Sequence, residues 1–202
     1  MQIKSKYKIA RRLGANIFDK TSTQKFALRE GRRKETRERG RGQSAFGREL
    51  LEKQKARYYY GVGERQFSKY AREAIAKKSV RSDESLYERL ETRLDNAAYR
   101  LRLAPTRQAA RQLVSHGHIT VNGVRITIPS YNVKIGDAVK IRDASAKKAL
   151  FNDLADRVKD YVPPSWLPFD YEKREGAVAG RPKLVKSELP FDIDAILEFY
   201  RR

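Results

Sequence analysis

RQLVSHGHITVNG, residues 111–123, holds both histidines of the chain. Leu113 and Val114 continue an apolar helix face begun by Ala109 and Ala110, and Gly117 follows where a left-handed stop is needed. Beyond it Ile119 and Val121 alternate with polar residues, and Asn122-Gly123 is a strong signal for a two-residue hairpin turn. The stretch therefore predicts a helix, a corner, a strand and a turn in quick succession. His116 and His118 flank the corner glycine. Three chemistries are open to such a pair: metal binding, proton transfer, or a grip on something anionic.

Upstream, Thr106 can cap the short helix, with Arg107 and Arg111 pointing outward. Before that, Ser82 can cap a longer helix with Asp83 and Glu84 in its first turn. Leu86, Leu90, Leu94, Ala97 or Ala98, and Leu101 form its apolar stripe, and Arg89, Arg93, Arg100 and Arg102 lie off it. Downstream, Val124, Ile126 and Ile128 alternate until Pro129 ends the strand. Val133 and Ile135, the Gly136-Asp137 turn, then Val139 and Ile141 add further short strands. Residues 83–143 thus predict two helices followed by a small antiparallel sheet.

The flanks read differently. Residues 1–43 are basic and show little hydrophobic periodicity, and GRRKETRERGRG (31–42), with no apolar residue, predicts a loop or extended arm lying on phosphates. Residues 44–82 turn helical: Phe46, Leu50 and Leu51 share a face, and YYYGVGE (58–64) ends the helix. A second amphipathic helix follows, burying Phe67, Tyr70 or Ala71, Ala74 and Ile75. The three tyrosines could pack in a core or stack on bases. In residues 144–202, AKKALFNDLADRVKDY (146–161) reads as helix and PPSWLPFD (163–170) interrupts it. Ile193, Ile196, Leu197 and Tyr200 then mark a short closing helix. The fold class expected is α+β.

Lysine and arginine total 45 against 25 acidic residues, a formal charge of +20. By successive quarters, breaking at residues 50, 100 and 150, the net charge is +10, +4, +7 and −1. So large a charge costs stability by self-repulsion and implies a polyanionic partner, nucleic acid or anionic membrane. The first three quarters would face it. The chain has no cysteine, which excludes disulfides, thiolate-bound zinc and iron–sulfur clusters. No apolar run approaches a bilayer span, and the basic start lacks the apolar core of a signal peptide.

These facts weigh on the corner. A metal would need a third ligand, yet residues 101–150 offer only Asp137 and Asp143 as carboxylates. Proton-transfer catalysis needs a positioned partner, and no serine, carboxylate or glycine-rich motif converges here. An anion grip fits better: Arg107, Arg111, His116 and His118 cluster at one helix and its corner, and Asn122 and Arg125 at the adjacent hairpin. For each histidine, a role in merely capping and packing the corner stays open. RLD (93–95) is similar to the motif of RNA pseudouridine synthases, whose aspartate is the nucleophile. Here Asp95 lies inside a helix, and too little chain follows for a catalytic domain, so pairing with a nearby arginine is expected.

ERLETRLDNAAYRLRLAPTRQAARQLVSHGHITVNGVRITIPSYNVKIGDAVKIRD (88–143) resembles the RNA-binding module named after small-subunit ribosomal protein four. LLEKQKARYYYGVGERQFSKY (50–70), VPPSWLPFDYEK (162–173), GRPKL (180–184) and ILEFYRR (196–202) resemble that family's flanking segments. The likeness runs from ARRLGANIF (10–18) to the C-terminus, and the chain is identified as a cysteine-free member of the bacterial-type family. Many relatives carry a four-cysteine zinc site near the N-terminus, which this chain cannot form.

The resemblance implies a module inserted in a helical domain whose N- and C-terminal parts meet, with Trp166, Phe191, Leu197 and Phe199 packing back on residues 44–80. It implies a non-enzymatic protein without cofactor, metal or small-molecule substrate, in a cytoplasmic or organellar ribosome and not on a membrane. It would bind 16S ribosomal RNA at a helix junction of the 5′ domain, nucleate 30S assembly and contribute to decoding accuracy. Candidate rRNA contacts are Arg11, Arg12, Arg32, Arg33, Arg48, Lys53, Lys55, Arg57, Lys69 and Arg72. Within and beside the module they are Arg93, Arg100, Arg107, Arg111, Gln112, His116, His118, Asn122, Arg125 and Lys134. Arg37, Arg39 and Arg41 would line the mRNA entry channel with ribosomal protein three. Phe199, Tyr200 and Arg201 would meet ribosomal protein five.

Overall fold

Ser44 opens the first long helix by accepting a hydrogen bond from the Gly47 amide at 3.1 Å, and Gly61 closes it in the left-handed region at φ 65°. This helix belongs to a computed structural model that describes residues 3, 5–21, 23–34, 44–77, 81–159 and 161–202, with backbone only for 30–34. Among them are ten α-helices and a five-stranded antiparallel sheet, an α+β architecture. The chain divides into two units, residues 1–85 with 185–202, and residues 86–184.

The first unit holds α1 (Lys6–Leu13), α2 (Gln24–Lys34), α3 (Ala45–Tyr60), α4 (Glu64–Ala76) and the start of α5 (Ser82–Glu91), with α10 (Ile193–Arg201) returning from the C-terminus. Asp192 caps α10 through the amides of Asp194 and Ala195, and Ile193, Ile196 and Leu197 bury its apolar face against α3 and α4. Phe191 lies edge-on to Tyr59 and Tyr60 at 5.8 and 6.1 Å, so these two tyrosines serve packing. Glu52 accepts from the Asp192 amide at 2.9 Å, and Arg202 donates to Glu49 at 2.8 Å. The C-terminal helix is thus fixed by polar bonds at both ends.

The second unit holds the remainder of α5, α6 (Leu94–Arg100), α7 (Arg107–Ser115), α8 (Asp143–Ala146) and α9 (Leu154–Val158). Its strands are β1 (Ile119–Val121), β2 (Val124–Arg125), β3 (Ala138–Ile141), β4 (Phe169–Asp170) and β5 (Glu175–Ala177), in the order β2-β1-β3-β5-β4. The Asn122-Gly123 turn pairs Val121 with Val124, and Ile119 pairs with Ile141. Leu94, Ala97, Leu101, Ala110, Val114, Ile119, Val139 and Ile141 form one core.

Several expectations differ from the structure. The apolar stripe from Leu86 to Leu101 is carried by two helices, because the chain breaks between Glu91 and Leu94. There Leu94 donates to the Tyr131 carbonyl at 2.8 Å, Asp95 to Pro129 at 3.1 Å, and Val133 to Thr92 at 2.9 Å. Val133 and Ile135, expected in a further strand, form none, and this segment keeps a single bridge between Arg93 and Asn132, while Val139 and Ile141 lie in β3 as expected. Gly31–Lys34, read as loop, continue α2; residues 35–43 lie outside the described residues. The helix expected over 146–161 is interrupted by a 3-10 turn at Ala149–Phe151.

Residues 144–184, expected to return to the helical domain, belong to the second unit instead. Phe151, Leu154, Val158, Trp166, Leu167 and Val178 join its core, and β4 and β5 extend its sheet. The reason is core size: a small module buries too little surface by itself, and pairing β5 with β3, Gly176 opposite Val139, enlarges its sheet and core. Trp166→Ala should therefore destabilise the second unit by about 3–5 kcal/mol. In hydrogen exchange, β1 and β3 should lose protection while α3 and α10 keep theirs.

Candidate nucleic-acid interface

The corner opens with α7, capped as expected by Thr106, which accepts from the Ala109 amide at 3.2 Å. Gly117 adopts φ 70°, and a second constraint acts on it: a Cβ there would lie 2.1 Å from Arg125 Nε. The Arg125 guanidinium lies across the corner backbone, with Nη2 3.4 Å from the His116 carbonyl. Only glycine lets this arginine lie so close.

The two histidines divide their work. His118 is buried, shares a 2.9 Å hydrogen bond through Nδ1 with Ser145 Oγ, and meets the edge of Phe151. Burial above all, then the charges of Lys148, His116, Arg125 and Arg142, hold its pKa below the ordinary value. Its place is in the packing of the corner, in an environment that disfavours its protonation. His116 is exposed, its ring 6.1 Å from that of His118, and is the histidine available to a partner. Asn122, at φ 50°, ties the hairpin to the next turn, donating to Asp137 at 2.8 Å and accepting from the Ala138 amide at 2.9 Å. The same aspartate accepts from the Lys134 amide, while the Lys134 residue is exposed.

Beside the corner, α6 and α7 carry Arg100, Arg107 and Arg111. Arg100 donates through Nε and Nη2 to the fully buried Glu91 at 2.9 and 2.8 Å. Arg107 donates to Asn96 Oδ1 at 3.1 Å and stacks 4.3 Å from the Tyr99 ring centre. Arg111 lies 3.3 Å from Asp95, which also takes both arms of Arg93 at 2.9 and 2.6 Å. The pairing expected for Asp95 is present. Arg93 is buried, however, because the break before α6 turns it inward. Glu91, Asn96 and Tyr99 escaped the sequence reading, since neither periodicity nor spacing marks a carboxylate that meets an arginine nine positions on.

In the first unit, Arg12, Arg48, Lys69 and Arg72 are exposed. Arg11 bonds the Tyr7 carbonyl at 3.2 Å. Lys55 pairs with Glu52 at 2.6 Å, and Arg57 with Glu64 at 2.7 Å. Lys53 is buried, 2.8 Å from Glu64 and 4.5 Å from the Phe199 ring centre, so it anchors α10 and faces away from solvent. Phe199 and Tyr200 are half-buried, and Tyr200 donates to Glu64 at 3.1 Å; Arg201 is exposed and paired with Glu198. Gln112 is exposed on α7. Arg32 and Arg33 are described by backbone alone, within α2, and Arg37, Arg39 and Arg41 lie outside the described residues.

Among the described residues no group of three or more potential ligands is placed to hold a metal ion. No helix among them is long and apolar enough to cross a membrane. Residues 92–139 match the family model "S4 domain", and residues 2–91 match "Ribosomal protein S4/S9 N-terminal domain". Small ribosomal subunit protein uS4 of Natranaerobius thermophilus is 40% identical over 203 residues, covering 96% of each chain. The chain belongs to the uS4 family of small ribosomal subunit proteins. The uS4 protein of Gluconacetobacter diazotrophicus is 39% identical over 206 residues, covering 100% of this chain and 98% of its own. The uS4A protein of Alkaliphilus metalliredigens is 47% identical over 159 residues, covering 79% of this chain and 76% of its own. The uS4 family is non-enzymatic, and its S4 domain is rRNA-binding.

The buried His118 gives a pH test. Unfolded, it protonates near the ordinary histidine value of about 6.5, and folded it resists protonation, so its contribution is complete above that pH and is lost as pH falls further. The melting temperature should drop between pH 7.5 and 5.5, and the drop should be smaller in His118→Gln.

Proposed function

We propose that this chain binds 16S ribosomal RNA at a helix junction of the 5′ domain through the α6–α7 face and the corner beside it. The observation that carries this reading is the row of partly exposed arginines, Arg100, Arg107 and Arg111, each already held by the protein, next to exposed His116 and Arg125. Guanidinium forks suit phosphate oxygens, and folded RNA is read largely by shape and backbone. Exposed Arg12, Arg48, Lys69 and Arg72 would extend the contact over the first unit, together with Arg32 and Arg33. Lys53 and Arg93 would act from inside, by holding neighbours.

Early binding to a junction would nucleate 30S assembly. The basic stretch carrying Arg37, Arg39 and Arg41 would serve the mRNA entry channel beside ribosomal protein three. The C-terminal helix, with Arg201 at its exposed end, would meet ribosomal protein five and so bear on decoding accuracy. By this reading residues 1–43 are a basic arm and residues 83–143 the module that reads RNA.

The test is affinity for a transcribed 5′ domain, against an unrelated folded RNA of equal length, across a salt series. The wild type should prefer the 5′ domain even at high salt. Arg107→Gln with Arg111→Gln should weaken that binding by ~10-fold or more and flatten the logarithmic salt slope by about 2. Unchanged affinity would move the binding face elsewhere.

A further inference from the structure

The break before α6 puts two carboxylates and one amide beneath the arginine face. Glu91 is fully buried and Asp95 and Asn96 nearly so. Glu91 receives Arg100 through two bonds and the Asn96 amide at 3.0 Å, and Asn96 passes the connection on to Arg107 through its carbonyl oxygen. Asp95 receives Arg93 through two bonds and Arg111 through a third. Each partly exposed guanidinium on this face therefore rests on a buried acceptor.

Stability is a weak reason for this design, even with the relief of charge repulsion it brings. Taking a carboxylate out of water costs several kcal/mol, and a well-packed apolar residue of similar volume commonly does as well or better than a buried ion pair. Binding does give a reason. A free arginine side chain carries about 2 kcal/mol of rotamer entropy, which is lost when a ligand fixes it. Arginines already fixed by the protein do not lose it on binding, and their forks are presented in one arrangement, which selects an RNA of matching shape.

We infer that Glu91, Asp95 and Asn96 are positioning residues for RNA recognition, holding Arg100, Arg111 and Arg107 in the arrangement that distinguishes the cognate fold from other RNA. This rests on the α6–α7 face being the RNA-binding face. None of the three touches RNA; they act through the arginines.

The charge change makes the inference testable by sign. Glu91→Gln and Asp95→Asn each add one positive charge, so plain attraction to a polyanion makes both variants bind every RNA more tightly. Positioning has the opposite effect on the cognate RNA alone. Expected is a loss of about 10-fold in affinity for the 5′ domain, with affinity for the unrelated RNA unchanged or raised. Asn96→Ala, which leaves the charge alone, should show a smaller loss of the same kind. Circular dichroism and melting temperature establish which variants fold, and Asn96→Ala carries the test if the buried carboxylate variants do not. Folded variants that keep the wild-type preference would overturn the inference while leaving the binding reading intact. A wild type without preference for the 5′ domain would overturn both.

Discussion

The second unit depends on the break between Glu91 and Leu94. Two backbone bonds run from the start of α6 to Tyr131 and Pro129, and one runs from Val133 to Thr92. Thr92 Oγ1 adds a fourth to Asn132 at 2.7 Å. These bonds stitch the helix junction to a segment some forty residues away. By ending α5 and restarting the chain as α6, they keep Leu86, Leu90, Leu94 and Leu101 in the core while turning Arg93, Asp95, Glu91 and Asn96 inward. Burying so much charge is tolerable only because each carboxylate meets a guanidinium at hydrogen-bond distance.

The consequence is a chain that is strongly cationic yet has Arg100, Arg107 and Arg111 held by buried acceptors. A carboxylate under an arginine lowers the local repulsion that a charge of +20 imposes. It also converts a long, mobile side chain into a fixed donor. At the corner, Gly117 does comparable work without charge, letting Arg125 lie against the backbone. The question raised by the paired histidines resolves into a division: His118 builds the corner, and His116 faces out from it.

Most local signals in the sequence agree with the structure, whereas Ser82, expected to cap α5, lies inside it, with the Ser85 amide donating to the Arg81 carbonyl. The Thr106 cap, the left-handed Gly117, the Asn122-Gly123 hairpin, the helix end at YYYGVGE and the closing helix from Ile193 all depend on neighbours within a turn. The other misses share a cause. The apolar stripe through Leu94 is continuous by helical periodicity, and only the distant 129–133 segment breaks it. Trp166 reads as any aromatic near a proline pair, and whether it covers α3 or β3 depends on which unit has an uncovered face. Lys53 counted as a surface cation because nothing near it in sequence announces Glu64 and Phe199. On the candidate α6–α7 face, the outward placement of Arg107 and Arg111 is legible from position, but the buried acceptors that hold them are not.

The most direct measurement is a structure of the chain on a 5′-domain RNA, at a resolution that shows guanidinium groups. Phosphate oxygens should lie about 2.7–2.9 Å from Arg107 and Arg111, with both arginines still resting on Asn96 and Asp95. RNA bound to another face of the second unit, or arginines swung away from those acceptors to reach it, would contradict the account.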